Sequence, residues 1–207
     1  MCAAIAGLQD FRSEGPPADI GTYQLPCSVM VFQYTFSGTV YVCAIRSGVR
    51  GWVLVNHLPS LAANDATVIQ SAINALTAGR TWKEKVVLQG DFIFIKPIYV
   101  AFYITLEILG NIKADANFQT ANIGPPPAEP GLRRLIVGSN LQAANPQPIY
   151  IDIIGGTLDG NKANQPAPPQ ANDGFLIFFF NGININIKNV KGINSKAYGM
   201  DLDNCAN

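Results

Sequence analysis

The stretch GFLIFFFNGININIKNVKGINSKAYGMDLDNC, from Gly174 to Cys205, consists of short apolar runs separated by Gly, Asn and Lys. Aligning GFLIFFF, which begins at Gly174, with GMDLDNC, which begins at Gly199, gives a repeat of about 25 residues. A repeat of this length is typical of solenoids, in which one structural unit stacks on the next. We therefore predict turns of about three short strands, each pairing in parallel with its equivalents in the neighbouring turns.

Alternation of side chains along a strand assigns the two aligned runs to opposite faces. The inward set is predicted to be Phe175, Ile177, Met200 and Leu202, and the outward set Leu176, Phe178, Asp201 and Asp203. Because the three consecutive phenylalanines at 178–180 cannot all face inward, at least one ring is expected outside. An outward ring of this kind predicts a partner surface or a covering loop.

The chain after Lys85 shows no helical pattern and many strands of three to six residues. Their Gly- and Asn-rich connections are too short for crossover helices, except at two Pro-rich insertions, residues 123–131 and 161–173. The apolar window 92–109 approaches membrane-spanning length, but Lys96, Pro97 and Glu107 interrupt it. We interpret this window as buried strands and predict no membrane span.

One helix is predicted, over residues 65–78. Asn64 or Asp65 supplies the N-cap, and Gly79 ends the helix. The apolar residues at helical spacing on one face are Val68, Ile69, Ala72, Ile73 and Leu76. A short helix with a single apolar face must lie against an apolar surface, so we expect it to cover one end of the core.

Three strand-like runs before the helix, within residues 28–58, predict an antiparallel meander, and the prolines before them predict an irregular start. A tight hairpin at Ser37 and Gly38 pairs Gln33 with Val42. That register would keep Cys27 and Cys43 from forming a disulfide. The sequence leaves open the redox state of the cysteines, which are Cys2, Cys27, Cys43 and Cys205.

The charge balance argues against polyanionic partners. The chain has 14 basic and 14 acidic residues, a net charge of +0, and no run of Lys or Arg. Binding to nucleic acid or to an anionic membrane surface needs a basic patch. We therefore predict neither partner.

Several segments together resemble the pectin-lyase-like superfamily of right-handed parallel β-helices, over roughly residues 65–207. They are the helix, VVLQGDFIFIKPI (86–98), ITLEILGNIKA (104–114), IDIIGGTLDGN (151–161) and GININIKNVKGINSKAYGMDLDNC (182–205). The resemblance implies an all-β, right-handed parallel β-helix whose N-terminal end is covered by the helix. The meander is similar to small lobes on viral and archaeal surface or tailspike-like members.

This resemblance divides the chain into three parts. Residues 1–27 form an irregular segment, 28–60 a small antiparallel β lobe, and 61–207 the capping helix with its β-helix turns. Family members usually have more turns, and an uncovered last turn exposes strand edges and an apolar core layer. We therefore expect either a longer protein, which we favour, or a last turn covered by another chain.

Asp201 and Asp203 are the candidate catalytic or ligand-binding carboxylates. At i and i+2 on one strand face they would lie roughly 6.5–7 Å apart. Hydrolases of the resembled family carry further acids, a histidine and an Arg/Lys pair on successive turns, and its lyases combine acidic Ca²⁺ ligands with a base. Here the only histidine, His57, precedes the turns, and no arginine follows Arg134.

Without a complete catalytic set, we assign Asp201, Asp203, Phe178 and Asp173 as ligand-binding candidates. The sequence has no metal-ligand spacing, so we predict no cofactor, Ca²⁺ being the only metal that the resemblance implies. Asp159, Gly160 and Asn161 are predicted to form a structural turn, in which Gly160 supplies the permissive φ. Trp52 and Trp82 are expected to be packing anchors, although an exposed tryptophan could stack on a sugar ring.

The function predicted from these features is that of an extracellular or virion-associated β-helix protein with a structural or adhesive role. It is expected to bind a glycan and to associate with copies of itself or with a longer assembly. The alternative is a polysaccharide lyase or glycoside hydrolase with acidic residues on the outer face of the β-helix. The extracellular or virion-surface location is implied by the resemblance alone.

Overall fold

The computed structural model describes residues 27–48, 51–100, 102–118, 121–123, 129–132, 134–138, 147–165, 174–196 and 199–206. These residues are mostly β-strand, with a single α-helix, α1 (Ala62–Asn74), and a 3-10 turn at Lys162–Asn164. The strands are β1 (Val29–Phe36), β2 (Thr39–Gly48), β3 (Gly51–Pro59), β4 (Glu84–Gln89), β5 (Asp91–Phe94), β6 (Ile98–Val100), β7 (Ile104–Ile108), β8 (Asn111–Ala114), β9 (Ala121–Ile123), β10 (Glu129–Leu132), β11 (Arg134–Gly138), β12 (Gln147–Ile154), β13 (Thr157–Asp159), β14 (Phe175–Phe180), β15 (Gly182–Lys188), β16 (Lys191–Ile193) and β17 (Met200–Asp203).

From β4 onward the chain visits three parallel sheets in a fixed order. Sheet A contains β4, β7, β12 and β15; sheet B contains β5, β8, β13 and β16; sheet C contains β6, β11, β14 and β17. Each strand pairs in parallel with the strand of the same sheet from the preceding and following visit. The hairpin β9–β10 lies in the insertion between β8 and β11.

The repeat length predicted for the last two visits to sheet C is wrong by two residues. Ile177 pairs with Met200 and Phe178 with Asp201, an offset of 23 residues rather than 25. The alignment on glycines failed because Gly174 and Gly199 each directly precede their strands, whereas Met200, the first residue of β17, pairs with Ile177, the third residue of β14. Met200 and Leu202 continue the columns of Ile177 and Phe179, not those of Phe175 and Ile177 that the 25-residue alignment predicted, and they are 42% and 46% exposed.

The largest apolar core lies between the three parallel sheets and α1. Ile104, Ile151 and Ile185 share one level of sheet A and are all buried in this core. Leu176, which alternation placed outside, is also buried there. Strict alternation fails at the start of β14, because Leu176 and the following residue, Ile177, both contact the core.

Helix α1 begins earlier than predicted and its cap is different. Leu61 is the N-cap residue and makes no side-chain capping hydrogen bond. Asp65 lies inside the first turn and is buried, accepting hydrogen bonds from Ser60 Oγ (2.8 Å) and from the Ile93 amide of β5 (2.9 Å). Burial raises the pKa of Asp65, although these bonds oppose the shift. The predicted cap residue therefore ties the helix to sheet B.

The meander has the predicted antiparallel order and the predicted hairpin register, with Gln33 opposite Val42. Cys43 lies opposite Phe32, and both Cys27 and Cys43 are free thiols. Burial raises the pKa of Cys27 to about 11 and that of Cys43 to about 12. Strand β1 also pairs in parallel with β4, so the meander extends sheet A to seven strands in the order β15-β12-β7-β4-β1-β2-β3.

Candidate functional site

The outer face of sheet A carries a row of polar side chains. Thr105 of β7, Asp152 of β12 and Asn186 of β15 occupy one register position on three neighbouring strands. Their side chains are half-buried and point away from the core, because the residues before and after them in each strand point inward. Parallel pairing therefore brings together three polar groups that are far apart in sequence.

Lys83, just before β4, reaches across β7 to this row. Its ammonium nitrogen, Nζ, donates to both carboxylate oxygens of Asp152 at 2.7 Å. Thr105 Oγ1 donates to the same carboxylate at 3.2 Å, and Asn186 Nδ2 at 3.3 Å. The side chain of Asp152 is 15% exposed and that of Lys83 is 37% exposed, so the pair faces solvent on the lysine side.

Asp152 is held in its ionised form. Partial desolvation raises its pKa, but the hydrogen bonds and charge of Lys83, together with the bonds from Asn186 and Thr105, more than offset that effect. The pKa of Asp152 therefore lies below its ordinary value. A carboxylate fixed in this way orients both Lys83 and Asn186.

Two tyrosines stack beside this polar row. Tyr103 and Tyr150 precede the inward isoleucines of β7 and β12, and their ring centroids lie 4.9 Å apart with an interplanar angle of 12°. Both have left-handed backbones, with φ of 54° and 50°, and Asn184, at the equivalent place in β15, has φ of 63°. A left-handed conformation is rare for a bulky residue, and such outliers cluster at functional sites.

Arg80 fixes the backbone around Tyr103. Its guanidinium donates to the carbonyl oxygens of Tyr103 (3.0 Å), Phe102 (2.6 Å) and Thr77 (2.9 Å). The Glu84 amide donates to the Tyr103 carbonyl as well, at 3.1 Å. Burial lowers the pKa of Arg80, while the charge of Glu84 opposes that shift. These bonds offset the strain at Tyr103 and set the position of its ring.

A groove of about 340 Å³ lies next to the second ring of the stack. Its described lining residues are Lys83, Tyr150, Asp152, Asn184, Ile185 and Asn186. On β15, the strand next to β12, the left-handed position beside Tyr150 is occupied by Asn184, whose side chain is smaller than a tyrosine ring. The groove thus combines an aromatic ring, two amides and a lysine–carboxylate pair. Such a lining can contact an apolar ring face and hydrogen-bond hydroxyl groups at its rim.

The carboxylates nominated from the sequence lie on a different sheet. Asp201 and Asp203 are on β17, beside Phe178 and Phe180 of β14. Asp201 is half-buried and Asp203 is exposed. Neither residue lines the groove on sheet A. Asp173 lies outside the residues that the structure describes.

Phe178 points to the outer face as alternation predicted, but it is not presented to solvent. It is only 8% exposed and packs with Val137, Tyr99 and Phe180. The guanidinium carbon of Arg134 lies 3.5 Å from the centroid of its ring. Arg134 and the neighbouring side chains cover this ring, and its role in ligand binding stays a prediction.

The predicted structural turn forms, but with different roles for its residues. Asp159 Oδ1 accepts hydrogen bonds from the Asn161 amide at 2.8 Å and from Asn194 Nδ2 of the next turn at 3.0 Å. The left-handed residue is Asn161, with φ of 51°, rather than Gly160. A Cβ at Gly160 would lie 2.7 Å from the Asn194 carbonyl oxygen, so this glycine permits close stacking.

The two tryptophans and the histidine have separate environments. Trp52 is buried on the outer face of the meander with Phe32 and neighbours, as a packing anchor. Trp82 is 57% exposed and directly precedes Lys83, so the anchor expectation is wrong for it. His57 contacts Tyr34, with 2.5 Å between Nε2 and Oη, and its ring stacks on Tyr41.

Sequence reasoning missed Lys83, Tyr103, Tyr150 and Asp152. The pattern Tyr-Ile at 103–104 and again at 150–151 was the available signal. Its two copies stand 47 residues apart, on either side of an insertion, so neither matches the 25-residue period. The row formed by Thr105, Asp152 and Asn186 could likewise be predicted only from the pairing of strands that are distant in the sequence.

Two further findings bear on the predicted partners. Among the described residues, no group of three or more His, Cys, Asp or Glu side chains could hold a metal ion. In the same part of the chain, no helix is long and apolar enough to cross a membrane.

Comparison of the chain with protein-family models, with curated proteins and with solved structures found no match. The groove on sheet A is therefore the feature of the molecule that points to a function. It combines the stacked tyrosines, the Lys83–Asp152 ion pair and the two amide side chains.

Proposed function

We propose that this chain is a glycan-binding protein built as a right-handed parallel β-helix of the pectin-lyase-like kind. Three sheets visited in turn, in-register parallel pairing and a helix packed against the first turn support the winding. The rigid stacking of turns gives an outer face on which a binding groove keeps its shape. The groove beside Tyr150 is the observation that carries the function.

The chemistry of the groove suits a sugar better than a wholly apolar or a strongly charged ligand. A pyranose ring presents a face of C–H groups, which packs on an aromatic ring, and a rim of hydroxyl groups. Tyr150 offers the ring, while Asn184, Asn186 and Lys83 offer donors and acceptors at its edge. A small number of fixed polar groups around an apolar surface is typical of sites that bind small ligands.

The proposal extends to the role and setting of the protein. A scaffold of this kind with a sugar-binding face serves adhesion or structural assembly at a cell or virion surface, together with copies of itself. Sedimentation velocity across a hundredfold concentration range tests the self-association. A single monomeric species at every concentration would contradict that part of the proposal alone.

The binding proposal is tested with a panel of immobilised neutral and acidic polysaccharides. We expect the wild-type protein to bind at least one of them and Tyr150→Ala to lose at least about tenfold in affinity, about 1.4 kcal/mol. Tyr99→Ala is the matched control, because Tyr99 is also half-buried but lies on the outer face of sheet C. It should bind as the wild type does.

Equal loss in both variants, or binding that survives Tyr150→Ala, would remove the groove from the proposal. The same incubation separates binding from cleavage. New unsaturated or reducing ends that disappear in Asp201→Ala would indicate the lyase or hydrolase alternative, with its reacting groups on sheet C. Binding without new ends supports the adhesive role.

A further inference from the structure

The charges of the groove point to a class of sugar, an inference that depends on the proposed glycan binding. We infer that the groove selects neutral glycans and rejects acidic ones, and that Asp152 is the residue that sets this selectivity. Among the described lining residues there is one cation, Lys83, and one anion, Asp152, and they are bonded to each other.

The pairing leaves little of the positive charge of Lys83 for a ligand. Two of its three N–H groups point at Asp152, with both distances at 2.7 Å. The Asp152 carboxylate receives two further hydrogen bonds, from Thr105 and Asn186. An ionised carboxylate has about four acceptor sites. Its acceptor capacity is therefore largely filled, and the Lys83–Asp152 pair as a whole carries no net charge.

A uronic acid entering the groove would bring a second carboxylate close to Asp152. Burying that second carboxylate costs desolvation free energy, and the cation that would offset the cost, Lys83, is already bonded to Asp152. The next lysine on this face, Lys85, is itself paired with Glu107 at 3.0 Å. Lys188 lies two residues beyond Asn186 in β15 and does not line the groove.

A neutral sugar meets a better-matched surface. Asn184 makes no side-chain hydrogen bond to the described residues, and Asn186 uses one amide N–H on Asp152. The remaining amide groups and the third N–H of Lys83 provide both donors and acceptors, which is what a hydroxyl group needs. None of these contacts requires a charge on the ligand.

The test uses pairs of oligomers of equal length: galactose, glucose and mannose oligomers, each beside the corresponding uronate oligomer. With wild-type protein we expect at least one neutral member to bind at least about tenfold more tightly than its acidic partner. Asp152→Asn keeps the shape and the contacts to Thr105 and Asn186 but releases Lys83. We expect this variant to reduce the preference at least about fivefold, by gain of acidic binding that weakens with added salt.

Lys83→Met is the opposing variant. It leaves Asp152 without its cation, so acidic oligomers should bind no better than they bind the wild type. A wild-type preference for the uronate member, or an unchanged preference in Asp152→Asn, would overturn the selectivity inference while glycan binding stands. Absence of binding to all six oligomers and to the polysaccharide panel would overturn the proposed function, and this inference with it.

Discussion

Replacing Gly110 by alanine tests how closely the β7–β8 connection packs on the β4–β5 connection. Gly110 joins β7 of sheet A to β8 of sheet B, and a Cβ there would lie 2.0 Å from the carbonyl oxygen of Gly90 and 2.8 Å from its carbonyl carbon. These are backbone atoms of the β4–β5 connection, so no side-chain rotation relieves the overlap. The φ of Gly110 is not in the left-handed region, and the effect is therefore purely steric.

The magnitude follows from what must move. An ordinary van der Waals contact of a Cβ atom begins at 3.4 Å, so the backbones at positions 110 and 90 would have to move apart by about 1 Å or more. Overpacking of this kind costs about 1–3 kcal/mol. The hydrogen bond from the Asn111 amide to the Gly90 carbonyl, 3.2 Å long, would be weakened as well, at about 1 kcal/mol. We expect a loss of about 3 kcal/mol, or a fall in Tm of about 6–12 °C.

The assay is urea denaturation followed by circular dichroism, with Gly199→Ala as the matched control. A Cβ at Gly199 meets nothing within 4 Å, and its φ is also outside the left-handed region. That variant should change the free energy of unfolding by no more than about 1 kcal/mol, in the stabilising direction. If Gly110→Ala and Gly199→Ala have the same stability, the β7–β8 and β4–β5 connections do not pack as closely as described.

Other positions give further predictions. Arg80→Lys should lower the free energy of unfolding by about 1–3 kcal/mol and diminish the near-ultraviolet circular dichroism of the stacked tyrosines. Three different guanidinium nitrogens reach the three carbonyl oxygens, and the single nitrogen of an ammonium cannot take all three positions. An unchanged spectrum would contradict this role. Asp65 has a raised pKa, so the stability it provides is present below its ordinary pKa of 3.8 and is lost as the pH rises through the folded-state value. The stability of Asp65→Asn relative to wild type, measured by urea denaturation, should therefore increase with pH over that window, and a constant difference would refute the burial argument. Asp159→Ala should lower the free energy of unfolding by about 1–2 kcal/mol, because two hydrogen bonds of its carboxylate are lost. Asp203 is exposed, so Asp203→Ala should leave the free energy of unfolding almost unchanged. Equal effects of the two variants in thermal denaturation would argue against the turn at Asp159.

Local patterns predicted the elements that local chemistry determines. The Ser37-Gly38 turn set the hairpin register, and Gln33 does pair with Val42. The existence of the helix followed from its apolar face. Its start did not, because the carboxylate of Asp65 bonds to the backbone of β5, a partner 28 residues away that no local pattern discloses. Tertiary contacts override capping preferences in such cases.

The groove could not be predicted because it depends on the register between parallel strands that are separated by segments of unequal length. Tyr103, Tyr150 and Asn184 occupy equivalent places although they are 47 and 34 residues apart. A fixed period, such as the one that gave 25 residues in place of 23, cannot align them. Asp201 and Asp203 could be predicted as a pair because they lie two residues apart on a single strand, whereas Lys83 and Asp152 are 69 residues apart in the sequence.

The most direct test is an isotope-filtered nuclear Overhauser measurement on the protein with a bound neutral oligosaccharide. We predict contacts from sugar C–H protons to the ring of Tyr150 and to the side-chain amides of Asn184 and Asn186. Tyr150 is on β12 and both asparagines are on β15, so parallel pairing of these two strands brings the ring beside the amides. Contacts to the side of sheet C near Asp201, or to the aromatic cluster around Tyr34, with none at Tyr150, would contradict this prediction.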